Sequence, residues 1–156
     1  MAIAKPATPF SQTEQEHREL RALTKEIRQS LKETPAEAGK EQMRNWGRVS
    51  DRILDLRDRL VLHFDQEERA GLTELFDEMQ PHIADRSETL RGEHSGLLRE
   101  MKALYVAMLL HAGGAGAPGT DLRKWTLDVL NHLARHEEKE TGLIQRAYLE
   151  ELGTGD

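Results

Sequence analysis

The sequence predicts an all-α protein folded as an antiparallel up-down-up-down four-helix bundle. Its 156 residues are 32% charged and only 4% aromatic, and the helix-favouring residues Leu, Glu, Arg, Ala and Lys dominate. Apolar residues recur at spacings of three and four along four long stretches, which is the pattern of a helix with one buried face. The connections between these stretches are short, so successive helices are expected to lie side by side in opposite directions.

The first predicted helix covers about residues 12 to 33. Ser11 and Glu14 form a capping box at its start, in which each side chain can satisfy a free backbone N–H of the other residue. The helix is expected to end before Pro35, because proline disfavours the helical conformation in the residue that precedes it. Its apolar face includes His17.

The second predicted helix has an apolar face that continues without a break to its last members. These are Trp46, Val49, Ile53, Leu56, Leu60, His63 and Glu67. If the first two helices are antiparallel, His17 and His63 reach the same height only when the second helix begins near residue 44. The Ala, Gly and Pro content from Pro35 to about Lys40 indicates a connection. The height comparison extends this expectation, because it requires residues 34–44 to be less helical than their alanines suggest. Gly71 and Pro81 bracket a less regular connection to the third helix.

The third and fourth predicted helices are joined by the glycine-rich loop at residues 113–119. The face of the third helix contains Leu90, His94, Leu97, Met101, Leu104 and Met108. Thr120 or Asp121 can cap the fourth helix, whose face contains Trp125, Val129, His132, His136, Glu140 and Leu143. His94 lies about 18 residues before the loop and His136 about 16 after it, so at roughly 1.5 Å per residue they lie within one turn of the same height.

Polar side chains interrupt the apolar face of every predicted helix. They are His17, then His63 with Glu67, then His94, and finally His136 with Glu140. A carboxylate in an apolar seam costs several kcal/mol unless it is paired or bound to a metal. No Lys or Arg lies near them on these faces, so we expect a cation between the helices.

The two halves of the chain repeat the same chemistry. Glu-His-x-x-Leu occurs at residues 16–20 and again at residues 93–97, and each copy is followed by a His-x-x-x-Glu, from His63 and from His136. A glutamate four residues after a histidine lies one turn further along the same helix face. The halves are therefore expected to be related by a pseudo-twofold axis, with four imidazoles and two carboxylates converging.

Four imidazoles and two carboxylates suit two metal ions that are bridged by the carboxylates, with an open position on each ion. Nitrogen and oxygen ligands of this kind favour iron over magnesium or calcium, and manganese and zinc are the alternatives. The sequence therefore predicts two bridged non-haem iron ions as the cofactor.

Composition excludes several other classes of protein. The absence of Cys rules out disulfides, iron-sulfur clusters, thiolate zinc sites and covalently attached c-type haem, and it suits a reducing compartment. The evenly spread net charge of -6 argues against a nucleic-acid partner. No apolar run approaches a membrane span, and the first ten residues lack the apolar core of a signal peptide. We expect a cytoplasmic protein with an N-terminal arm at 1–10 and a bundle at 11–152.

The ordered set of six residues resembles the hemerythrin-like, or HHE cation-binding, domains. Their pattern of His, His-x-x-x-Glu, His, His-x-x-x-Glu on four successive helices matches this chain over about residues 10 to 150. The resemblance implies a non-haem di-iron centre with bridging carboxylates. It also implies that the partner is dioxygen or a related small oxidant such as peroxide or nitric oxide, bound by a sensor, store or scavenger.

The sequence departs from the oxygen-carrying hemerythrins in two places. Those carriers have a second histidine one turn from the ligand of the third helix, where this chain has Leu90 and Leu98 on either side of His94. They also have an aspartate one residue beyond the position of Glu140. The broader HHE group shares both departures, which argue against reversible oxygen carriage. We hypothesise that His132, one turn before the predicted ligand of the fourth helix, is a further ligand or a hydrogen-bond partner of one.

Two alternative functions stay open beside oxidant binding. One is a di-iron enzyme that removes peroxide or oxidises ferrous iron, and the other is an interaction bundle whose metal is structural and whose protein partner is unidentified. A ferritin-like site is disfavoured, because the Glu-x-x-His motif of those proteins is inverted relative to the His-x-x-x-Glu of this chain.

Overall fold

A computed structural model describes residues 9–69, 78, 81–116 and 118–153. They form four long helices, which are α1 (Pro9–Glu33), α2 (Lys40–Arg69), α3 (Pro81–Ala112) and α4 (Gly119–Gly153). This part of the chain contains no strand. The prediction of an all-α protein with four helices is confirmed.

Contacts between neighbouring helices show their directions. As the residue number rises along one helix, the number of the residue that it contacts in the neighbouring helix falls, which is the pattern of an antiparallel pair. For α1 with α2 the pairs are Glu33–Asn45, Ser30–Arg52, Glu19–Arg59 and Glu16–His63. For α2 with α3 they are Trp46–His111, Arg57–Leu98 and Phe64–His94. For α3 with α4 they are Glu100–His132 and Glu93–His136, and for α1 with α4 they are Leu31–Arg123, Arg28–Asn131 and His17–Thr141.

Helix α2 begins earlier than the sequence indicated. It starts at Lys40, which agrees with the connection that composition indicates from Pro35 to about Lys40, but the start near residue 44 that the height comparison required is wrong. The Asn45 side-chain amide donates to the backbone carbonyl of Glu33, the last residue of α1, at 3.2 Å. The first turn of α2 therefore extends beyond the end of α1. Heights along the bundle are therefore compared from the contact between Glu33 and Asn45, and counted from there His17 and His63 lie within one helical turn of the same height.

Helix α1 already includes Pro9 and Phe10. Ser11 therefore lies inside the helix and not at its N-cap, because proline fits the first turn, where no N–H is needed. Residues 1–8 of the predicted arm lie outside the described residues. So does the connection between α2 and α3, apart from Glu78.

The connection between α3 and α4 is the glycine-rich segment that the sequence predicts. Gly114 and Gly116 have φ angles of 87° and 88°. This left-handed region is readily open to glycine and strained for residues with a Cβ. The N–H of Ala115 donates to the carbonyl of Leu110 at 2.8 Å, which closes the end of α3.

The apolar core is divided into two parts by a layer of histidines and glutamates. The larger part fills the end of the bundle that contains the α1–α2 and α3–α4 connections, and it includes Ile27, Trp46, Ile53, Met101 and Leu130. The smaller part lies on the other side of the layer and consists of Ile83, Leu90, Leu143 and Ala147, with Ile144 packed against it. Among the described residues, no helix is both long enough and apolar enough to span a membrane.

Candidate metal centre

The six residues that the sequence singled out come together between the four helices. His17 comes from α1, His63 and Glu67 from α2, His94 from α3, and His136 and Glu140 from α4. His94 is half-buried, and the other five are buried. Ligand atoms of His17, His63, Glu67 and Glu140 lie within 4.8 Å of one another, and so do those of His94, His136 and Glu140. The two groups share Glu140 and lie next to each other.

Glu67 spans the two groups. Its Oε1 lies 2.6 Å from Nε2 of His63, in the first group, and its Oε2 lies 3.8 Å from Nε2 of His94, in the second. The carboxylate therefore presents one oxygen to each side.

Glu140 does the same from the opposite side of the bundle. Its Oε1 lies 3.3 Å from Nε2 of His17, and its Oε2 lies 3.4 Å from Nε2 of His136. Each group thus contains two imidazole nitrogens and faces one oxygen from each of the two glutamates. This is the arrangement that the pseudo-twofold repeat predicts.

The atoms that point into the cluster fit a cation. Six buried atoms of the cluster have no hydrogen-bond partner within the described chain, although N and O atoms lie close together. They are Nε2 of His17, His63 and His136, Oε1 of Glu67, and both carboxylate oxygens of Glu140. Unsatisfied buried polar atoms are strongly unfavourable. A cation between them would accept a lone pair from each, and imidazole with carboxylate is a donor set that iron, manganese and zinc accept.

Without a cation, burial and close neighbouring groups shift the pKa values of the cluster residues. Burial and the close Glu140 carboxyl group raise the pKa of Glu67 from 4.5 to about 11. Burial, with the neighbouring His136, lowers the pKa of His94 to about 4. One carboxyl thus keeps a proton and one imidazole stays neutral near pH 7. Neutral imidazole is the form that binds a metal ion.

Two further glutamates hold the outward-facing nitrogens of two histidines. His136 Nδ1 donates to Glu93 Oε2 at 2.8 Å, and His63 Nδ1 donates to Glu16 Oε2. A proton held on Nδ1 leaves the lone pair of Nε2 directed into the cluster. The sequence analysis did not assign these glutamates to the site. Their signal was the repeated Glu-His pair, in which the glutamate of each pair supports a histidine on the neighbouring helix.

The two halves of the cluster differ in the surroundings of these two glutamates. Lys139 Nζ lies 3.0 Å from the other oxygen of Glu93. Burial opposes the charge of Glu93, but the adjacent His136 and Lys139 lower its pKa overall. Glu93 is therefore held as a carboxylate, beside a cation at the surface.

The pseudo-twofold symmetry also breaks at the residue after each second histidine. Phe64 follows His63, and its ring stacks on His94 with the centroids 3.7 Å apart and the planes 6° from parallel. The equivalent residue in α4 is Glu137, a buried carboxyl group. Burial raises the pKa of Glu137, while the nearby His17 acts against this rise.

His132 is not brought to the cluster. Its Nδ1 lies 3.3 Å from Glu100 Oε2, and its side chain is 38% exposed. Four residues advance a helix by slightly more than one turn, about 40°, so His132 is rotated from His136 towards α3. The structure thus does not support the hypothesis that His132 is a ligand or touches one.

Comparison with protein families gives one finding that covers most of the chain. The family model described as the hemerythrin HHE cation-binding domain matches residues 8–147, a segment that contains all six residues of the cluster. Comparisons with curated proteins and with solved structures gave no match. The match extends well beyond half of the chain and agrees with the histidine and glutamate pattern on the four helices. The chain belongs to the hemerythrin HHE cation-binding domain family.

Proposed function

We propose that this chain is a non-haem di-iron protein that binds dioxygen or a related small oxidant, such as peroxide or nitric oxide. The observation that carries the proposal is the placement of the two glutamates. Each has one oxygen near a histidine of the first group and one near a histidine of the second. Two ions, each held by two imidazoles and bridged by both carboxylates, would use all of these atoms.

The donor set favours iron and leaves it reactive. Two nitrogen and two oxygen ligands do not fill the coordination sphere of iron, so each ion would retain a vacant position for a small molecule. Iron in its reduced state would supply the electrons that such an oxidant accepts. Manganese and zinc are the alternative ions, and zinc would leave a centre without redox chemistry.

The protein's own residues would hold the ions and shield them. Glu16 and Glu93 orient two of the imidazoles, and the stacked Phe64 fixes the plane of His94. Apolar residues lie on both sides of the cluster along the bundle, which limits access of bulk water. Such an environment suits a sensor, store or scavenger of a small molecule.

Metal content and optical response test the proposal together. The protein is expressed with iron supplied, and iron, manganese and zinc per chain are measured by mass spectrometry. We expect about two irons per chain, and near-ultraviolet absorption that bleaches on reduction and returns in air. His63→Ala should lose metal, whereas His132→Ala, which changes a histidine outside the cluster, should retain it. Trace iron, or one zinc with no spectrum, would instead indicate a structural metal.

A further inference from the structure

A groove of about 400 Å³ runs along the surface between α1 and α4. Arg21, Thr24 and Arg28 line it from α1, and Ala134, Glu137 and Thr141 are among the residues that line it from α4. Helices α1 and α4 pack less closely than the other three neighbouring pairs, so this seam is the most open side of the bundle.

The floor of this groove reaches the metal cluster. Thr141 Oγ1 lies 3.3 Å from Nδ1 of His17, which places a groove residue in contact with a predicted ligand. Glu137, one turn earlier on the same face, is only 6% exposed. Its Oε1 has no hydrogen-bond partner in the part of the chain that the structure describes. An unpaired buried carboxyl oxygen at this point favours a polar visitor, because the carboxyl group can accept a hydrogen bond from the visitor when it is ionised or donate one when it is protonated.

The opposite half of the cluster is closed at the equivalent position. There Phe64 covers the ring of His94 by stacking on it, and it belongs to the larger apolar core. The two pseudo-equivalent sides of the cluster therefore differ, because Glu137 makes one side polar and Phe64 keeps the other side apolar. Packing of a bundle core does not require a buried carboxyl group, since an apolar residue would fill the same space without a desolvation cost.

We propose that the α1–α4 groove is the route by which small polar or anionic molecules reach the metal centre, with Glu137 as the residue that keeps its floor open and polar. The inference rests on the proposed function, because it concerns access to the same centre. Arg21 and Arg28 line the groove together with Glu137 and Glu138, so its charges balance and an anion meets less repulsion than in a groove with excess carboxylates.

A second groove, of about 270 Å³ between α1 and α2, is the rival route. It is lined by His63 but also by Glu16, Glu19 and Leu62. The hydrogen bond between His63 and Glu16 closes its floor, and its two carboxylates repel an anion, with only Arg59 to offset them. The α1–α4 groove is both larger and better matched in charge.

Azide binding to the oxidised iron-loaded protein tests the route. Azide is a small anion whose binding to iron changes visible absorption, so association and dissociation rates can be measured by stopped-flow. Ala134→Trp narrows the groove from an exposed position, and Glu137→Phe copies the closed half. We expect each variant to slow both rates by about tenfold with an unchanged equilibrium constant, because a barrier on the path affects entry and exit equally.

The controls separate the route from other effects. Leu62→Trp fills the rival groove from a residue that is 56% exposed, and it should leave both rates unchanged. Glu137→Gln keeps the size and polarity of the side chain and should stay within about twofold of the wild type, a difference of only ~0.4 kcal/mol in the barrier. Iron per chain is measured for every variant, and Ala134→Trp keeps the test valid if Glu137→Phe fails to fold.

The outcomes distinguish the two proposals. If the azide rates change in Leu62→Trp but not in Ala134→Trp or Glu137→Phe, the proposed route is wrong and the oxidant-binding function stands. An iron-loaded wild-type protein that binds neither azide nor an oxidant would overturn both.

Discussion

Replacement of Glu93 by glutamine should weaken metal binding although Glu93 does not face the metal. Glu93 accepts a hydrogen bond from His136 at 2.8 Å, and this bond directs the other ring nitrogen into the cluster. Loss of such an outer partner typically lowers metal affinity by about 10- to 100-fold, which is ~1.4 to 2.7 kcal/mol.

The structure places Glu93→Gln at the lower end of this range. A glutamine oxygen can still accept the bond, and Lys139 already neutralises part of the Glu93 charge. Glu93 is also partly exposed, so water screens that charge. We expect about a tenfold loss of affinity for glutamine and a larger loss for Glu93→Ala, which removes the acceptor.

Competition against a chromophoric chelator, with manganese or zinc as the probe ion, measures the affinity at constant pH. Glu100→Gln is the matched control, because Glu100 contacts His132 on the same pair of helices but outside the cluster. Circular dichroism confirms that each variant is folded. If Glu93→Gln bound metal as tightly as the wild type and the Glu100 control, the supporting role of this glutamate would be refuted.

Three further predictions follow from the cluster and its surroundings. Glu67→Gln should stabilise the metal-free protein against urea. Because the pKa of Glu67 is raised, its contribution to wild-type stability is full below pH 4.5 and is lost as pH rises towards 11. Glutamine does not titrate, so the stability gained by the variant over the wild type should grow with pH between these values. A gain that stayed constant between pH 5 and 9 would contradict this reasoning. Phe64→Ala should destabilise the protein by about 3–5 kcal/mol, because it leaves a cavity beside His94, and urea unfolding would show it. His132→Ala should leave the visible spectrum of the iron-loaded protein unchanged, and a shifted spectrum would restore His132 to the site.

The positions of the six cluster residues could be predicted because helix periodicity carries enough information. His63 and Glu67 are one turn apart on a face that is otherwise apolar, and this fixes both their direction and their depth. Exact height was harder. The composition of residues 35–40 indicated a connection that ends near Lys40, where α2 begins. The height comparison required a start near residue 44 and failed because the first turn of α2 extends beyond the end of α1, which lies next to Asn45.

The two glutamates that orient histidines of the cluster were harder to identify from the sequence. Glu16 and Glu93 look like ordinary surface residues of α1 and α3, and only a contact across to the neighbouring helix shows what they hold. The role of His132 stays a prediction, because its contact is with Glu100, which lies outside the cluster. Glu137 gave no signal as one of two consecutive glutamates, and its burial follows from the seam between α1 and α4.

The division of the core by the polar layer has a consequence for how the bundle opens. Among the residues that the structure describes, the buried apolar cluster at the far end consists of Ile83, Leu90, Leu143 and Ala147. A bound ion would act as a non-covalent cross-link that joins all four helices just inside that end. Removal of the metal should then let the far end unfold locally, with fast amide exchange there, while the amides around Trp46 and Ile53 keep the protection of the global fold. Metal occupancy would in this way be converted into the order of one end of the molecule.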